Sequence, residues 1–523
     1  MSSPGKNRLF PINGHAIVVN PSDNVAIVKR EVPSGTRFSL ETGEAVTLNV
    51  SVPLGHRFAI RDIPAGELVT QYGEPIGTSL GICKGDWVSL ENMSNDVPVI
   101  RQLPSSVGPC EPEVKQVAEI PTFQGFRRAD GRVGVRNYIL VVPTSMCASH
   151  EAAQVATLAE FTLFNREKYP NVDGVVAIPH NKGCGCQGGS NIDVIMRMLA
   201  NYAAHPNVGG VVLMELGCEK TNLSYLEKYL SSRSDSLKKP VVRLSIQQAG
   251  GTQEAIRQGL QEVERMLPEV NRCTREATPI SELVLGVKCG GSDALSGLSA
   301  NPALGHAADL LVACGGTVIM TEVPEFCGAE HILARRAKDD ETAQAIYRMV
   351  DWYKAYVAQV GARLAENPSP GNIRSGLLNL TIKSLGAIAK AGTSCVQGVV
   401  DYADTPKGRG VWLMQGPGYD QESTPGLVGA GAQIIVFTTG LGTTIGNAIA
   451  PVVKLASNTS VFERMSNDIN LNAGGIIDGV QTIEDVGMKV FAFVTEVASG
   501  KVVFAETHKH REFQIWGEQA ISL

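Results

Sequence analysis

Residues 211–220 read VVLMELGCEK, an apolar run that leads directly into a loop with a thiol and charged groups. Such a run, rich in branched side chains and ending at glycine, is typical of a strand buried on both faces of a parallel sheet. The arrangement recurs in three other places, where strand-like runs lead to Cys147, to Gly183-Cys184-Gly185-Cys186 and to Cys289. Because ligands bind beyond the carboxyl ends of such strands, the four loops predict one composite site.

The spacing of turn residues predicts three folded regions along the 523-residue chain. Residues 1–97 carry short strand runs separated by turn pairs, which indicates a small β-rich domain. Five prolines in residues 98–122 prevent regular structure and indicate a linker. Alternating strand and helix runs then predict two α/β domains with mainly parallel sheets, at 123–275 and 276–523. The expected fold class is therefore multidomain α/β.

Composition narrows the class of protein. Hydrophobic residues make up 43% of the chain and charged residues 19%, enough apolar material for sizeable cores. The net charge of −6 and the absence of long basic runs argue against nucleic-acid binding. No apolar leader or membrane-length stretch occurs, so we expect a cytoplasmic protein without a membrane partner. In that compartment the eleven cysteines are expected to be thiols or metal ligands rather than disulfides.

Thiolates from separate loops suit iron, held as a single ion or as a cluster with one open position. The best trio is Cys184, Cys218 and Cys289, since each follows a predicted strand. An open iron position can act as a Lewis acid on the carboxylate and hydroxyl of a hydroxy acid. The alternative is that each cysteine is a small buried hydrophobe at a tight turn.

Two glycine-rich loops, each following a predicted strand, are expected to bind the substrate. Exposed N–H groups in such loops form a cradle for an anion, and threonine adds a hydroxyl group. Neither loop continues into the Gly-Lys-Ser/Thr of a P-loop, so nucleotide binding is not predicted. The candidate substrate-binding residues are Gly290, Gly291, Ser292, Gly440, Gly442 and Thr443.

Two acids near these loops are candidates for proton transfer or metal binding. Asp293 ends the first glycine-rich loop, although an aspartate there also suits a helix N-cap. Glu322 lies three residues before Glu325, beyond another predicted strand. Paired carboxyl groups suit general acid–base catalysis, and the alternative is a pair of solvated acids at a helix start.

Polar residues beside apolar runs give further candidates. His56 can carry protons near neutral pH, and with Arg57 it marks a candidate catalytic region, although a lone histidine is more often only a surface residue. Asp23 and Asn24 are candidates for substrate binding. Arg136 can grip a substrate carboxylate with two hydrogen bonds, but the same residue also suits an exposed position beside a hairpin turn.

Motifs spread over nearly the whole chain carry a specific resemblance to a known family. They are Asp23–Ala26, Gly55-His56, Tyr72-Gly73, Ile76-Gly77, Gly131–Asn137, Gly183-Cys184, Gly217–Glu219, Cys289–Asp293, Ala300–Pro302, Asn367–Asn372 and Asn472–Gly474. Together they resemble the altronate/galactarate dehydratase family.

The resemblance implies a SAF-type β domain followed by two α/β domains. It also implies a hydro-lyase that depends on a divalent metal, Fe²⁺ with Mn²⁺ or Mg²⁺ as alternatives, and gives a 2-keto-3-deoxy acid. The metal would chelate the carboxylate and 2-hydroxyl while a base near His56 removes the C2 proton. Residues carried over from the motifs are His56, Cys184, Cys218, Glu219, Cys289 and Asp293, with Glu219 as a metal ligand beside the cysteines.

Departures from the family pattern leave the substrate open. Asn20, Leu441 and Asn470 stand where the family usually has histidine, arginine and aspartate. Losing these polar groups predicts a different hydroxy acid or lost activity. We therefore expect a dehydratase of an altronate- or galactarate-like acid, with a sulfolactate sulfite-lyase or an inactive sensing paralogue as alternatives. The expected partners are a small hydroxy acid and a second copy of the chain.

Overall fold

The computed structural model describes residues 9–231 and 238–517. Its amino-terminal part contains ten short strands in three small sheets, ordered β2-β3-β6-β9, β1-β4-β5 and β7-β8-β10. The predicted β-rich domain is thereby confirmed. The strands are β1 (Leu9–Pro11), β2 (Ala16–Ile17), β3 (Val25–Val28), β4 (Arg37–Ser39), β5 (Ala45–Thr47), β6 (Arg57–Ala59), β7 (Leu68–Gln71), β8 (Glu74–Ser79), β9 (Trp87–Val88) and β10 (Met93–Ser94).

The middle part is built on a four-stranded parallel sheet with the order β14-β13-β15-β16, beside a small antiparallel sheet with the order β12-β11-β17. Its elements are β11 (Thr122–Arg127), β12 (Val133–Gly134), β13 (Tyr138–Pro143), α1 (Met146–Thr162), β14 (Gly174–Ala177), α2 (Ser190–Ala204), β15 (Val208–Glu215), α3 (Leu223–Ser231), β16 (Val241–Ser245), α4 (Ile246–Ala249), α5 (Thr252–Val270) and β17 (Arg275–Pro279).

Burial on both faces explains the continuous apolar runs of this sheet. All six residues of β13 are buried. Leu140 and Val142 join the core that includes α2, whereas Ile139 and Val141 join the core beneath α1 and α5. Successive side chains of a strand point to opposite faces, so a strand covered on both sides needs apolar residues throughout.

The carboxyl-terminal part is built on a seven-stranded parallel sheet with the order β20-β21-β19-β18-β22-β23-β24. Its elements are β18 (Val284–Cys289), α6 (Ala300–Ala313), β19 (Thr317–Met320), α7 (Glu330–Arg335), α8 (Asp340–Gln359), α9 (Pro370–Arg374), α10 (Leu380–Ala387), β20 (Val396–Val400), β21 (Gly410–Met414), α11 (Asp420–Gly429), β22 (Ile434–Thr439), β23 (Val452–Ala456), α12 (Thr459–Arg464), β24 (Leu471–Asn472), α13 (Gly474–Ile477), α14 (Ile483–Ala498) and α15 (Phe504–Thr507). The prediction of mainly parallel α/β sheets is confirmed. None of the described helices is long and apolar enough to cross a bilayer.

The proline-rich segment between β10 and β11 runs along the carboxyl-terminal part as a strap. The backbone N–H of Gln102 donates to the Tyr347 hydroxyl at 2.7 Å, and that hydroxyl donates back to the Gln102 carbonyl at 2.9 Å. Cys110 forms a disulfide with Cys395, directly before β20. This corrects the expectation that the cysteines are thiols or ligands, because two positions 285 residues apart in sequence meet in the fold.

Candidate active site

A group of buried ionisable side chains lies at the carboxyl end of the seven-stranded sheet. Lys288 and Cys289 end the central strand β18, and Glu322 and Glu325 follow the neighbouring strand β19. Residues from α10, the turn after it and α11 complete the group. We call it the lysine–carboxylate centre, and its members are Lys288, Cys289, Glu322, Glu325, Lys383, Lys390 and Asp420.

Lysine ammonium groups bridge the acids of the centre. Lys288 pairs with Glu322 and, at 2.6 Å, with Asp420. The Lys390 Nζ atom lies 3.3 Å from Glu322 and 3.0 Å from Glu325. Lys383 approaches the other oxygen of Glu325 at 3.2 Å. The side chain of Asp420 is 29% exposed, whereas the glutamates are at most 2% exposed, so Asp420 marks the solvent side of the centre.

The two glutamates are driven to opposite protonation behaviour. Burial and the neighbouring Glu325 raise the pKa of Glu322 to about 7, although Lys288 and Lys390 oppose this shift. Burial also acts to raise the pKa of Glu325, but Lys390 and Lys383 outweigh it and hold that pKa well below its ordinary value. Two carboxyl groups whose environments push their pKa values apart are a recurring feature of acid–base sites. Glu322 is the member suited to exchange a proton near neutral pH.

Glu322 is also strained in its backbone. Its φ of +80° and ψ of +66° place a non-glycine residue in the left-handed region. Such a conformation costs about 1–3 kcal/mol and persists where the surrounding structure holds it, often at functional sites. Here the next residue is fixed, because the N–H of Val323 donates to the carbonyl of Gly416 at 3.1 Å.

The centre contains the donor atoms for one metal ion. Among the described residues, Cys289, Glu322 and Glu325 form a group whose ligand atoms all lie within 4.8 Å of one another. Carboxylate oxygens with one sulfur suit a divalent transition metal. The Cys289 thiol has its pKa raised to about 12, mainly by burial and by Glu325, so the thiol is neutral without a metal. The donor set therefore fits a divalent ion.

Family models match each of the three folded parts of the chain. Residues 14–96 match the model of the altronate/galactarate dehydratase SAF domain, residues 125–271 the second domain of D-galactarate dehydratase/altronate hydrolase, and residues 280–521 the D-galactarate/altronate dehydratase C-terminal domain. The chain belongs to the altronate/galactarate dehydratase family. This confirms the resemblance seen in the sequence motifs, including the SAF domain, and places the chain among sugar-acid dehydratases.

Curated relatives span almost the full chain. Galactarate dehydratase (L-threo-forming) of Escherichia coli is 38% identical over 93% of this chain and 93% of the relative. Altronate dehydratase of Bacillus subtilis is 35% identical over 96% of this chain and 98% of the relative. The beta subunit of (2R)-sulfolactate sulfo-lyase from Chromohalobacter salexigens is 32% identical over 75% of this chain and 96% of the relative.

Among the described residues, Cys184, Cys218 and Cys289 do not form a group of donor atoms within 4.8 Å of one another. Cys289 is buried in the lysine–carboxylate centre, whereas Cys184 and Cys218 are exposed on loops of the four-stranded sheet. In the described parts of the chain Cys289 shares its three-donor group with glutamates instead. The loops belong to two different sheets, and ligation of one metal by all three cysteines stays a prediction.

Glu219 is a clamp between loops rather than a free ligand. Its Oε1 atom accepts hydrogen bonds from the Thr144 hydroxyl at 2.7 Å and the Ser145 hydroxyl at 3.1 Å. Its Oε2 atom accepts from the backbone N–H of Gly217 at 2.6 Å. Burial acts to raise the pKa of Glu219, but these hydrogen bonds outweigh it, so the pKa is lowered. The carboxylate thus ties the loop after β13 to the loop after β15.

The two glycine-rich loops lie against each other beside the lysine–carboxylate centre. Gly440 and Leu441 donate their backbone N–H groups to the carbonyl of Gly291, at 3.0 and 2.7 Å. A Cβ on Gly290 would lie 2.7 Å from an Asp420 oxygen, so glycine permits this approach. The buried Ser292 hydroxyl has no hydrogen-bond partner within the described chain. Among the residues predicted to bind the substrate in these loops, Ser292 thus offers a free hydroxyl group to a ligand.

The remaining parts of these loops are held internally. The Asp293 carboxylate accepts from Ser296 at 2.7 Å, Ser457 at 2.8 Å and Asn458 at 3.0 Å. Burial nevertheless raises the pKa of Asp293. A Cβ on Gly440 would lie 2.2 Å from this carboxylate, and Gly442 donates its N–H to Thr439. The Thr443 hydroxyl accepts from the N–H of Ile445 at 3.4 Å. Asp293 therefore positions the loops.

His56 and Arg57 dock the amino-terminal domain. The His56 Nε2 atom lies 3.1 Å from the carbonyl of Arg374, and its Nδ1 atom accepts from Trp87 at 3.3 Å. Arg57 donates to the carbonyl of Gly376 at 2.5 Å. Burial lowers the pKa of His56. With both ring nitrogens engaged, His56 has no free nitrogen for the C2 proton, which corrects the expected base.

Two other predicted substrate residues, Asp23 and Asn24, make hydrogen bonds within the amino-terminal domain. Asp23 accepts backbone N–H groups of Tyr72 and Gly73 at 3.1 and 2.8 Å. Asn24 bonds the carbonyl of Leu68 at 2.8 Å, within the same domain.

Arg136 precedes β13, and its guanidinium is held by Glu506 at 2.6 and 2.9 Å. Its side chain is 2% exposed, so it cannot grip a substrate carboxylate. The predicted role in substrate binding is therefore wrong. The sequence did not reveal the pairing, because Glu506 lies 370 residues away.

Sequence reasoning missed the lysines of the centre. Lys288 lies in β18 among residues buried on both faces, and a lysine in such a strand must be paired. That position was the available signal. Lys383 and Lys390 lie in and after a short helix whose sequence gives no such signal.

Proposed function

We propose that this protein dehydrates an altronate- or galactarate-like sugar acid to a 2-keto-3-deoxy acid by β-elimination. One observation carries the proposal: a buried, strained glutamate with a pKa near neutrality lies among lysine ammonium groups at the carboxyl edge of the central strand. The full-length similarity to sugar-acid dehydratases supports the same reaction class.

Removal of the proton next to a carboxylate builds negative charge on that carboxylate. Lys288 and Lys390 are fully buried, and ion pairing raises the pKa of each above its ordinary value despite burial, so both remain cationic. Cations fixed in a water-poor site stabilise such developing charge strongly. Ionised Glu322 takes the C2 proton and, once protonated, can donate a proton to the departing 3-hydroxyl group. That group leaves as water, and the enol product tautomerises to the ketone.

Of this donor group, Cys289 and Glu325 would hold a divalent metal in the centre, which leaves Glu322 for proton transfer. When bound, such an ion polarises carboxylate and hydroxyl oxygens of a substrate as a Lewis acid. The buried Ser292 hydroxyl, next to the glycine-rich loops, would orient an anionic group of the substrate. Fe²⁺, the homodimer and the cytoplasmic location stay predictions.

Product formation tests the proposal directly. Purified protein with ferrous, manganous or magnesium ions is incubated anaerobically with a panel of aldonates and aldarates, and keto acids are detected as semicarbazones. We expect keto acid from at least one member of the panel, and none from a Glu322→Gln variant. No keto acid from any member of the panel under any metal would refute the proposal.

The sulfo-lyase relative favours one second candidate, a sulfite-lyase acting on sulfolactate. The same C2 proton removal serves this reaction, with sulfite rather than water leaving from C3. Parallel assays for sulfite and for keto acid from each substrate separate the two. Sulfite from sulfolactate without keto acid from sugar acids would establish the alternative.

A further inference from the structure

Exposed thiols collect at the carboxyl edge of the four-stranded sheet. The adjacent strands β14, β13 and β15 are each followed by a loop with cysteine. Cys147, Cys184 and Cys218 are exposed, and Cys186 is partly exposed. The reaction proposed above uses none of them.

The three loops are tied to one another in pairs. The N–H of Met146 donates to the carbonyl of Lys182 at 2.7 Å, which joins the loops after β13 and β14. Glu219 joins the loops after β13 and β15 through Thr144 and Ser145. Adjacent strands and paired loops hold the cysteines in fixed relative positions, as a rigid ligand set requires.

One of the sulfurs already accepts a backbone hydrogen bond. The N–H of Lys220 donates to the Sγ atom of Cys184 at 3.2 Å, which also joins the loops after β14 and β15. Hydrogen bonds to cysteine sulfur are among the features that tune iron–sulfur centres. This contact links the loop of Cys184 to the residue two positions beyond Cys218.

We propose that Cys147, Cys184 and Cys218 ligate an iron–sulfur cluster. Thiolates are the ligands of such clusters, and these three come from neighbouring loops at one edge of a sheet. The ligand set differs from the trio expected from sequence, because Cys147 replaces Cys289.

The three loop sulfurs are not grouped as closely as the ligands of a single ion would be. Tetrahedral thiolates around one zinc ion at about 2.3 Å would stand only about 3.8 Å apart. Among the described residues the group with three donors within 4.8 Å is the glutamate–Cys289 group, so the loop sulfurs do not form one. A cluster of several irons spans a wider set of ligands than one ion does.

Reconstitution of the full chain tests the site without relying on turnover. The protein is incubated anaerobically with ferrous iron, sulfide and dithiothreitol, desalted, and assayed for iron, acid-labile sulfide and visible absorption. We expect stoichiometric iron and sulfide in the wild type, and at least a fivefold loss in Cys147→Ser, Cys184→Ser and Cys218→Ser. Cys83→Ser, which changes an exposed thiol of the amino-terminal domain, is the matched control and should keep the cluster.

The outcomes bear on the cluster independently of dehydration. Circular dichroism and thermal melting establish that each serine variant is folded before its iron is counted. Wild-type protein with no sulfide-matched iron, or with one zinc ion per chain in its place, overturns the proposal. So does full iron and sulfide in the triple Cys147→Ser, Cys184→Ser, Cys218→Ser variant. Sugar-acid turnover without a cluster would leave the proposed function standing and sink this inference alone.

Discussion

At the level of single residues, Glu322 combines burial, backbone strain and a pKa near neutrality. Its two oxygens face Lys288 and Lys390, so its charge is balanced when it is ionised. Burial and the neighbouring Glu325 carboxylate favour its protonated form instead, and the opposing effects bring its pKa to about 7. The residue can therefore exchange a proton at modest cost, which is what a base that must also return a proton requires.

Replacing Glu322 with glutamine should remove the proton acceptor while keeping its shape. We expect turnover to fall about 10²- to 10⁴-fold, the usual contribution of a positioned acid–base group. In the wild type, turnover should rise with pH through about 7, because the base works only when ionised. The residual turnover of the variant should lack that rise. Measurement of kcat from pH 5 to 9 checks both, and an unchanged acidic limb in the variant would contradict the assignment.

Lys390 should be essential to the stability of the centre. Replacing it with methionine leaves two buried glutamates short of a cation, which typically costs about 3–5 kcal/mol. The thermal midpoint should fall clearly, while Lys383→Met, at a position 13% exposed with one glutamate contact, should lower it less. Since Lys390 lowers the pKa of Glu322, its loss should also move the acidic limb of kcat to higher pH. Equal midpoints for both variants would argue against this balance.

Site residues could be predicted from the sequence where they directly follow a strand that the sequence pattern reveals. Glu322 and Cys289 follow strands that the sequence shows clearly, and both lie in the centre. The role of Arg136 was not predictable, since Glu506 lies on a helix near the other end of the chain. Partners far apart in sequence appear only once the tertiary fold brings them together.

Among the elements, the turn before β6 joins the amino-terminal domain to the carboxyl-terminal part. Gly55 has a φ of +77°, and a Cβ there would lie 2.8 Å from the carbonyl of Ser375. That carbonyl accepts from the N–H of Ala294, directly after the first glycine-rich loop. The turn at Gly55 therefore packs beside the first glycine-rich loop, which borders the lysine–carboxylate centre.

A pair of glycine variants separates docking from backbone strain. Gly55→Ala and Gly66→Ala both force alanine to a positive φ, at +77° and +88°. Of the two positions, only Gly55 has neighbours within 4 Å of an added Cβ, so Gly55→Ala should lower kcat/KM at least tenfold. Gly66→Ala should change kcat/KM by no more than about twofold, because its backbone strain of about 1–2 kcal/mol remains local. Steady-state kinetics of both variants, with melting curves as the folding check, decides. Equal losses would attribute the effect to strain.

Strand prediction succeeded where strands are covered on both faces. Tyr138–Pro143, the run that leads to Cys147, occurs as expected, because six consecutive buried positions demand apolar residues. The edge strand Val396–Val400 was missed: every second residue is only partly buried, and glycine interrupts the run. Short strands of the amino-terminal domain, such as β9 and β10, are too brief for a periodic pattern.

For the whole molecule, the strap fixes how the parts are connected. It leaves the amino-terminal domain, runs along α8 and reaches β20 before entering the middle part. The N–H of Glu113 donates to Thr393 at 2.9 Å, close to the disulfide. Cys395 lies five residues after Lys390, so the strap supports the segment that carries a lysine of the centre. The sequence predicted a linker there, but nothing in its composition indicated where the linker attaches.

Opening the Cys110–Cys395 disulfide should loosen the strap and lower stability. A cross-link that closes a long loop typically contributes about 2–4 kcal/mol, largely by restricting the unfolded chain. Cys110→Ser should therefore melt at a lower temperature than the wild type, whereas Cys83→Ser, at an unpaired exposed thiol, should not. Dithiothreitol should lower the melting temperature of the wild type toward that of the variant and leave that of Cys110→Ser unchanged, because the hydrogen bonds of Gln102 and Glu113 remain in both.

Melting curves with and without reductant, together with peptide mapping under non-reducing conditions, test this. If Cys110 and Cys395 in denatured wild-type protein alkylate fully before reduction, the cross-link is absent in solution, and the strap is held by its hydrogen bonds alone.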